Sequence, residues 1–336
     1  MNGTRDTGIR FGVIGYGGAF NMGRMHAEHA AAAGMPLTAV CDLDPARTEA
    51  ARADFPGIQT YNDVDAFLAE APVDLVTVIT PHNTHADLCI RCSRVGKHVI
   101  TEKPMCLTSD EATAMIEAAR AAGKMLSVYH NRRWDGDFLA IKRAVDAGLI
   151  GEVFSIEMAM GGFSHPGYWW RSSKEISGGN FYDWGAHVVD WMLNIVGKKV
   201  LDVTGIFQKR VWMDVTNEDH TQAIIRFEDN VWGNVEISSI ARASKPRYRI
   251  LGTAGAIVDR WEGHFELLSS IEGMPAESKV KYLETDWTAY YRNIAAHLTG
   301  KEELAVTPES ARRVISIIET AEKSAKAGKA LTPPFV

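Results

Sequence analysis

Apolar residues fall into two textures along this chain. Up to residue 130, short apolar runs alternate with longer stretches of helix-forming composition. Arg10 to Gly15, Leu37 to Cys41, Val73 to Ile79, His98 to Thr101 and Met125 to Tyr129 read as strands. Met22 to Ala33, Pro45 to Ala53, Ala86 to Val95 and Ser109 to Ala122 read as the helices between them. Short continuous apolar runs joined by helices predict right-handed crossovers and a parallel sheet covered on both faces.

Beyond residue 130 the pattern changes. Glu152 to Met160, Val200 to Lys209, Gln222 to Phe227, Val231 to Ser238, Tyr248 to Leu251 and Phe265 to Leu268 read as strands, with Glu228-Asp229-Asn230 as a hairpin connection. So many strands with few helices between them predict a mostly antiparallel sheet, open on one face unless a subunit contact covers it. Pro308 to Ala327, introduced by Thr307 and followed by Gly328, reads as a closing amphipathic helix. The expected fold is an α/β Rossmann N-terminal domain over residues 1–130, and an α+β C-terminal domain with a large, mostly antiparallel open sheet over residues 131–336. The second domain is expected to serve substrate binding and oligomerisation, as a homodimer or homotetramer.

With 336 residues, 46% of them hydrophobic and 23% charged, there is enough chain for two cores. A net charge of -6 gives no electrostatic reason for nucleic acid or an anionic membrane as partner. A small, mostly neutral substrate fits better. The segment Met1 to Gly8 is polar, and Ile9 to Ile14 is too short for a signal-peptide core or a membrane span, so a cytoplasmic location is expected. Of four cysteines, Cys89 and Cys92 form a C-x-x-C inside a helical stretch with no second pair to complete a zinc site; no metal is expected.

The first strand runs into Gly15-Tyr16-Gly17-Gly18 and then a helix, the arrangement a pyrophosphate cradle needs: glycine permits a tight turn, and helix N-terminal N–H groups favour an anion. Gly15, Gly17, Gly18, Phe20, Asn21 and Met22 are the candidate contacts. Phe20 stands where a third glycine is usual, and the next glycine is Gly23. Asp42, after the second strand, is placed to bond ribose hydroxyls and to repel a 2′-phosphate, which favours NAD. Arg47 lies close enough to receive that phosphate instead and leaves NADP open. Thr80, Pro81, His85, Glu102, Lys103 and His130 follow later strands and complete the expected cofactor edge.

Thr101-Glu102-Lys103-Pro104 places a lysine where it reaches a bound nicotinamide. Asp183 and His187, four positions apart at the start of a helix, share one helix face. Oxidising an alcohol needs a base for the hydroxyl proton, and histidine titrates in the right range; a lysine stabilises a developing alkoxide. Lys103, Asp183 and His187 are therefore the candidate catalytic residues. Each also has a plain structural reading, as a surface lysine, a helix N-terminal acid and a core histidine. Trp134, His165, Tyr168, Trp169, Trp170, Arg171, Tyr182 and Trp184 crowd the same stretches. Rings that stack on C–H faces beside groups that bond hydroxyls suit a pyranose, cyclitol or glycoside. Tyr129, Trp134, Tyr168 and Arg171, with Lys103, Asp183 and His187, are the expected substrate contacts.

The glycine loop, Thr80-Pro81 with His85, Glu102-Lys103-Pro104, Asn131-Arg132-Arg133-Trp134, Gly178-Gly179 leading to Asp183, Gly185, His187 and Asp190, and Leu251 to Ala256 resemble the Gfo/Idh/MocA oxidoreductases over nearly the whole chain. The resemblance implies an NAD(P)-dependent oxidoreductase acting on a hydroxyl or keto carbon of a sugar, cyclitol or glycoside. By it, Lys103 would bond the reacting hydroxyl, His187 would exchange its proton and Asp183 would position the substrate or partner side chains. A second activity open to such a fold is redox-neutral cleavage of a glycoside by an enzyme that keeps NAD tightly bound. The chain departs from the family pattern in the glycine loop and at Ser177, where a third glycine is common.

Overall fold

The computed structural model describes residues 6–18 and 20–336. Its chain divides into two compact units: one of residues 1–106, 110–130 and 287–312, the other of residues 107–109, 131–286 and 313–336.

The first unit alternates β1 (Phe11–Ile14), α1 (Met22–Ala32), β2 (Leu37–Cys41), α2 (Pro45–Asp54), β3 (Gln59–Tyr61), α3 (Val64–Glu70), β4 (Leu75–Val78), α4 (His85–Arg94), β5 (His98–Thr101), α5 (Ser109–Ala121) and β6 (Leu126–Val128). All six strands pair in parallel in the order β3-β2-β1-β4-β5-β6. This is the doubly wound topology expected when fully buried strands alternate with helices. The expected strand at Val73 to Ile79 is the fourth in the sheet. Ahead of it, β3 is a half-exposed three-residue edge strand, Gln-Thr-Tyr, with no apolar run to betray it. Asp44 and Asp63 cap α2 and α3, each side chain accepting a backbone N–H of the first turn.

In the second unit the order is α6 (Gly136–Asp146), β7 (Val153–Gly161), α7 (Lys174–Ser177), α8 (Asn180–Val196), β8 (Val200–Gln208), β9 (His220–Phe227), β10 (Trp232–Ser238), β11 (Tyr248–Gly252), β12 (Gly255–Asp259), β13 (His264–Ile271) and β14 (Met274–Lys281). After these, α9 (Thr288–Leu298) belongs to the first unit and most of α10 (Pro308–Ala327) to the second. The eight strands run β14-β13-β12-β11-β7-β10-β9-β8, antiparallel except for the β7–β10 pair. Glu228–Asn230 closes the β9–β10 hairpin with Asp229 and Asn230 at positive φ. Two strands escaped the hydrophobic pattern. β12 is short, and β14 is a mostly exposed edge strand with two lysines.

One face of this sheet carries Ile156, Met158, Val203, Ile225, Val235, Ile237, Ile250 and Ile257 into a core shared with Phe138 and Ile141 of α6, Val188, Trp191 and Met192 of α8, and Val314, Ile317 and Ile318 of α10. The other face is polar, with the ion pairs Arg249–Glu157, Lys245–Glu236 and Arg226–Asp202. Among the described residues no helix is long and apolar enough to cross a membrane.

In the second unit β8 and α10 approach each other closely. A Cβ on Gly205 would sit 1.8 Å from the Ala321 carbonyl oxygen. Gly205→Ala is expected to lower the unfolding free energy by about 1–3 kcal/mol through overpacking. The check is a fall in the denaturant midpoint at unchanged m-value.

Candidate active site

In the first unit, the register sets Ile14, Val78, Thr101 and Val128 side by side at the carboxyl edge of the sheet. The segments that follow them therefore form a row: Gly15 to Gly18, Thr80-Pro81, Glu102-Lys103 and Tyr129-His130. Ligands of open α/β sheets bind along this edge. Gly15 has φ 92°, and a Cβ there would lie 2.4 Å from the Ile79 carbonyl oxygen; around Gly17 the space is open to 4 Å. Gly23 does the work of the displaced third glycine, since a Cβ on it would lie 2.8 Å from the Tyr16 ring in the first turn of α1. Phe20, Asn21 and Met22 form the entry to α1, Asn21 in the left-handed conformation and Phe20 exposed.

Asp42 follows β2, its side chain accepting the Asp44 N–H at 2.9 Å and its carbonyl the Asn62 amide at 2.8 Å. Arg47 lies over the glycine loop, so that a Cβ on Gly18 would meet its guanidinium. Backbone N–H groups at a helix N-terminus, an open glycine loop, an acid after β2 and a guanidinium beside them fit a dinucleotide.

At the other end of the row, the Lys103–Pro104 peptide is cis and the Lys103 N–H donates to Glu102 Oε2 at 3.0 Å. Glu102 is buried, with Oε1 2.9 Å from His26 Nε2; His26 Nδ1 lies 2.6 Å from the Tyr291 hydroxyl. Burial opposes ionisation of Glu102, but the His26 hydrogen bond and charge, helped by Lys103, outweigh it and hold the carboxyl below its usual range. His85 is fully buried, its ring nitrogens facing the Pro104 and Thr80 carbonyl oxygens at 2.8 and 2.9 Å. It ties the loop after β4 to the lysine turn. Tyr129 lies in the core, its ring 4.3 Å from that of His26 and 4.9 Å from that of Tyr290; His130 beside it is also buried. Sequence reading gave Tyr129 to substrate, whereas its ring is packed among these core rings.

In the second unit, Gly179 at φ 113° precedes α8, which carries Asp183 and His187 on one face. Arg171 Nη1 donates to Asp183 Oδ1 at 2.7 Å, so two side chains that the sequence assigned separately to substrate form a pair. The Arg171 guanidinium also lies over Trp170 at 4.8 Å and Trp169 at 5.4 Å. His187 is 5% exposed, between Trp184 and the stacked Trp191 ring at 6.1 Å. Tyr168 is 78% exposed and Trp134 half-buried.

Two residues of the Asn131 to Trp134 segment and three of α8 hold one another. Arg133 donates to both oxygens of buried Asp190, at 2.6 and 2.8 Å; Trp191 Nε1 donates to the Arg132 carbonyl at 3.0 Å; and the Arg132 guanidinium lies over Trp184 at 4.8 Å. Arg247 packs against the Trp191 ring at 4.7 Å and pairs with Asp137 at 2.8 Å. The sequence marked Arg133 and Asp190 as part of a motif but gave them no partner, since they lie 57 positions apart.

Two outcomes are expected. Arg133→Ala leaves the Asp190 charge buried without its partner and should cost about 3–5 kcal/mol in denaturant unfolding, with Arg133→Met/Asp190→Leu recovering most of it. Because the folded Glu102 carboxyl titrates below its unfolded value, its stabilisation is complete above about pH 4.3 and fades as pH falls through the lowered folded value. The stability gap between wild type and Glu102→Gln should therefore narrow between neutral pH and pH ~3; a gap that is flat or widens on acidification overturns this.

Comparisons with known proteins agree with this geometry. Residues 9–130 match the model of the oxidoreductase family with an NAD-binding Rossmann fold, and residues 138–258 match the GFO/IDH/MocA C-terminal domain. The chain is 27% identical to a scyllo-inositol 2-dehydrogenase (NADP(+)) of Bacillus subtilis, over 95% of this chain and 94% of that one. It is 34% identical to an inositol 2-dehydrogenase of Rhizobium meliloti over 58% of this chain and 57% of that one. An NAD-binding protein from Listeria innocua superimposes with TM-score 0.86 at 29% identity, covering 97% of each chain. The parallel sheet with its glycine loop and the mostly antiparallel second sheet are thus those of a GFO/IDH/MocA oxidoreductase, the family to which this chain belongs.

Proposed function

We propose that this oxidoreductase oxidises a ring hydroxyl of a sugar, cyclitol or glycoside with NAD, and reduces the corresponding ketone in reverse. The observation that carries the reading is the row at the carboxyl edge of the parallel sheet, from the open glycine loop to Lys103. The names of the inositol dehydrogenase relatives support the substrate class.

In this reading Gly15, Gly17, Gly18, Phe20, Asn21 and Met22 hold the pyrophosphate, and Asp42 bonds the adenosine ribose. Arg47 neutralises phosphate charge beside Gly18. Thr80, Pro81, Glu102, Lys103 and His130 flank the nicotinamide, and His85 keeps Thr80 and the lysine turn in register. The bound nicotinamide supplies the hydride acceptor. Lys103 donates to the reacting oxygen and stabilises it as the proton leaves, His187 takes that proton, and Asp183, with its bond to Arg171, orients neighbouring hydroxyls. Trp134, Tyr168 and Arg171 complete the substrate side.

The test is NADH formation by purified protein on a panel of inositols, hexoses and glycosides, with NAD and NADP assayed in parallel. One or more substrates should reduce NAD. His187→Ala should lower kcat by roughly 10²–10⁴-fold. Lys103→Ala should reduce kcat by about 10²-fold or more while changing the Kd for NADH far less. Full turnover in either variant overturns its assigned role. Release of sugar from a glycoside with no net NADH, by protein that retains its own NAD, would replace oxidation by the redox-neutral cleavage reading.

A further inference from the structure

The carboxyl ends of β7, β8 and β10 and the start of β9 come together, since Gly161 pairs with Ser238, Ser238 with His220 and His220 with Gln208. Loops leaving this end gather Phe163, His165, Tyr168, Trp212, Asp214 and Arg242. The Phe163 and Trp212 rings lie 5.4 Å apart, His165 and Trp212 5.1 Å, and His165 and Tyr168 4.9 Å. Tyr168 donates its hydroxyl to Asp214 Oδ2, and His165 Nε2 lies 3.1 Å from the same oxygen. Arg242 caps the Phe163 ring at 3.6 Å.

This platform is held firmly although it is exposed. Buried Asp219 binds Lys209 Nζ through Oδ1 and accepts the backbone N–H groups of Arg210, Val211 and Trp212 through Oδ2, and Trp212 Nε1 donates to the Ser239 carbonyl. On the other side, Gly162 and Ser164 donate backbone N–H groups to Ser238 and Ser239. Yet Phe163, Tyr168, Val211 and Met213 remain exposed at 38%, 78%, 42% and 67%. Apolar surface presented on pinned loops marks a ligand site more than a core. The Tyr168 bond holds the Asp214 carboxyl below its usual range, so at neutral pH it is an ionised acceptor. Tyr168 and His165 use only part of the acceptor capacity of its two oxygens. Ring faces beside a carboxylate with spare lone pairs suit a sugar ring, which offers C–H faces and vicinal hydroxyl donors.

Within the second unit the platform is joined to the helix that bears His187. Asn217 Nδ2 donates to the Arg171 carbonyl at 2.6 Å, and Arg171 pairs with Asp183, one turn before His187. We infer that the Phe163–His165–Tyr168–Trp212–Asp214 platform is a second sugar subsite, which binds the ring remote from the reacting carbon and makes a disaccharide or larger glycoside the preferred substrate. This rests on the sugar reading above and adds the length of the substrate to it.

The experiment compares glucose with maltose and cellobiose, and galactose with lactose and melibiose, in wild type, Asp214→Asn and Asp214→Ala, with thermal unfolding and solution mass measured on each. Wild type should show a kcat/KM for at least one disaccharide about 10-fold or more above that of its free sugar, and both variants should bring that ratio down by about 10-fold. A wild-type ratio near one, a ratio preserved in both folded variants, or a change of solution mass in Asp214→Asn overturns the subsite; the last would mark the platform as a subunit contact. If no sugar reduces NAD, oxidation itself fails, and quenching of tryptophan fluorescence by maltose or cellobiose still decides the subsite. Quenching that is lost in Asp214→Ala supports it, and absence of quenching in wild type defeats it.

Discussion

The chemical groups of the second unit depend on one buried surface, the face of α8 that lies on the eight-stranded sheet. Trp191 is at its centre, fully buried, with Phe138, Tyr248, His187 and Arg247 against its ring. Burying one such side chain contributes on the order of 4–6 kcal/mol, a large share of the net stability of any domain. His187 is one helical turn from this anchor and Asp183 two. The orientation of both is thus set by the packing of an apolar helix rather than by a flexible loop. The Arg133–Asp190 pair adds direction to that packing, because a bidentate fork permits little rotation of α8 about its axis.

A different principle governs the first unit. Lys103 sits on a short turn that a set of buried polar contacts ties to its surroundings: Glu102 to His26, His26 to Tyr291, and His85 to Pro104 and Thr80. Buried polar groups cost free energy unless satisfied, so such a network tolerates few alternative arrangements. Strand pairing brings the row of candidate cofactor groups together, and the polar network fixes its lysine end.

Legibility in the sequence followed burial and distance along the chain. Strands with continuous apolar runs, such as Leu37–Cys41 and His98–Thr101, were read almost to the residue, because a buried parallel strand has no polar face to blur it. Gln59–Tyr61 and Met274–Lys281 were invisible for the opposite reason: both are edge strands with exposed side chains. The Asp183–His187 spacing was readable because it is local to one helix. The partners that constrain these groups were not: His26 and Tyr291 are 265 positions apart, and Arg171 reaches Asp183 across 12. Periodicity carries no information about such pairs.

The contact between His26 and Tyr291 also bears on how this chain can be cut and recombined. Tyr291 lies on α9, inside a stretch that returns to the first unit after the whole second sheet has been made. A fragment ending at residue 130 would keep all six parallel strands but lose the hydroxyl that faces His26 and Thr77, together with Tyr290, whose hydroxyl donates to Ser127. The nucleotide-binding half is therefore a discontinuous module. During synthesis it is completed only after the whole second sheet has emerged, and a chimera that exchanges it between relatives must carry residues 287–312 along with the amino-terminal portion.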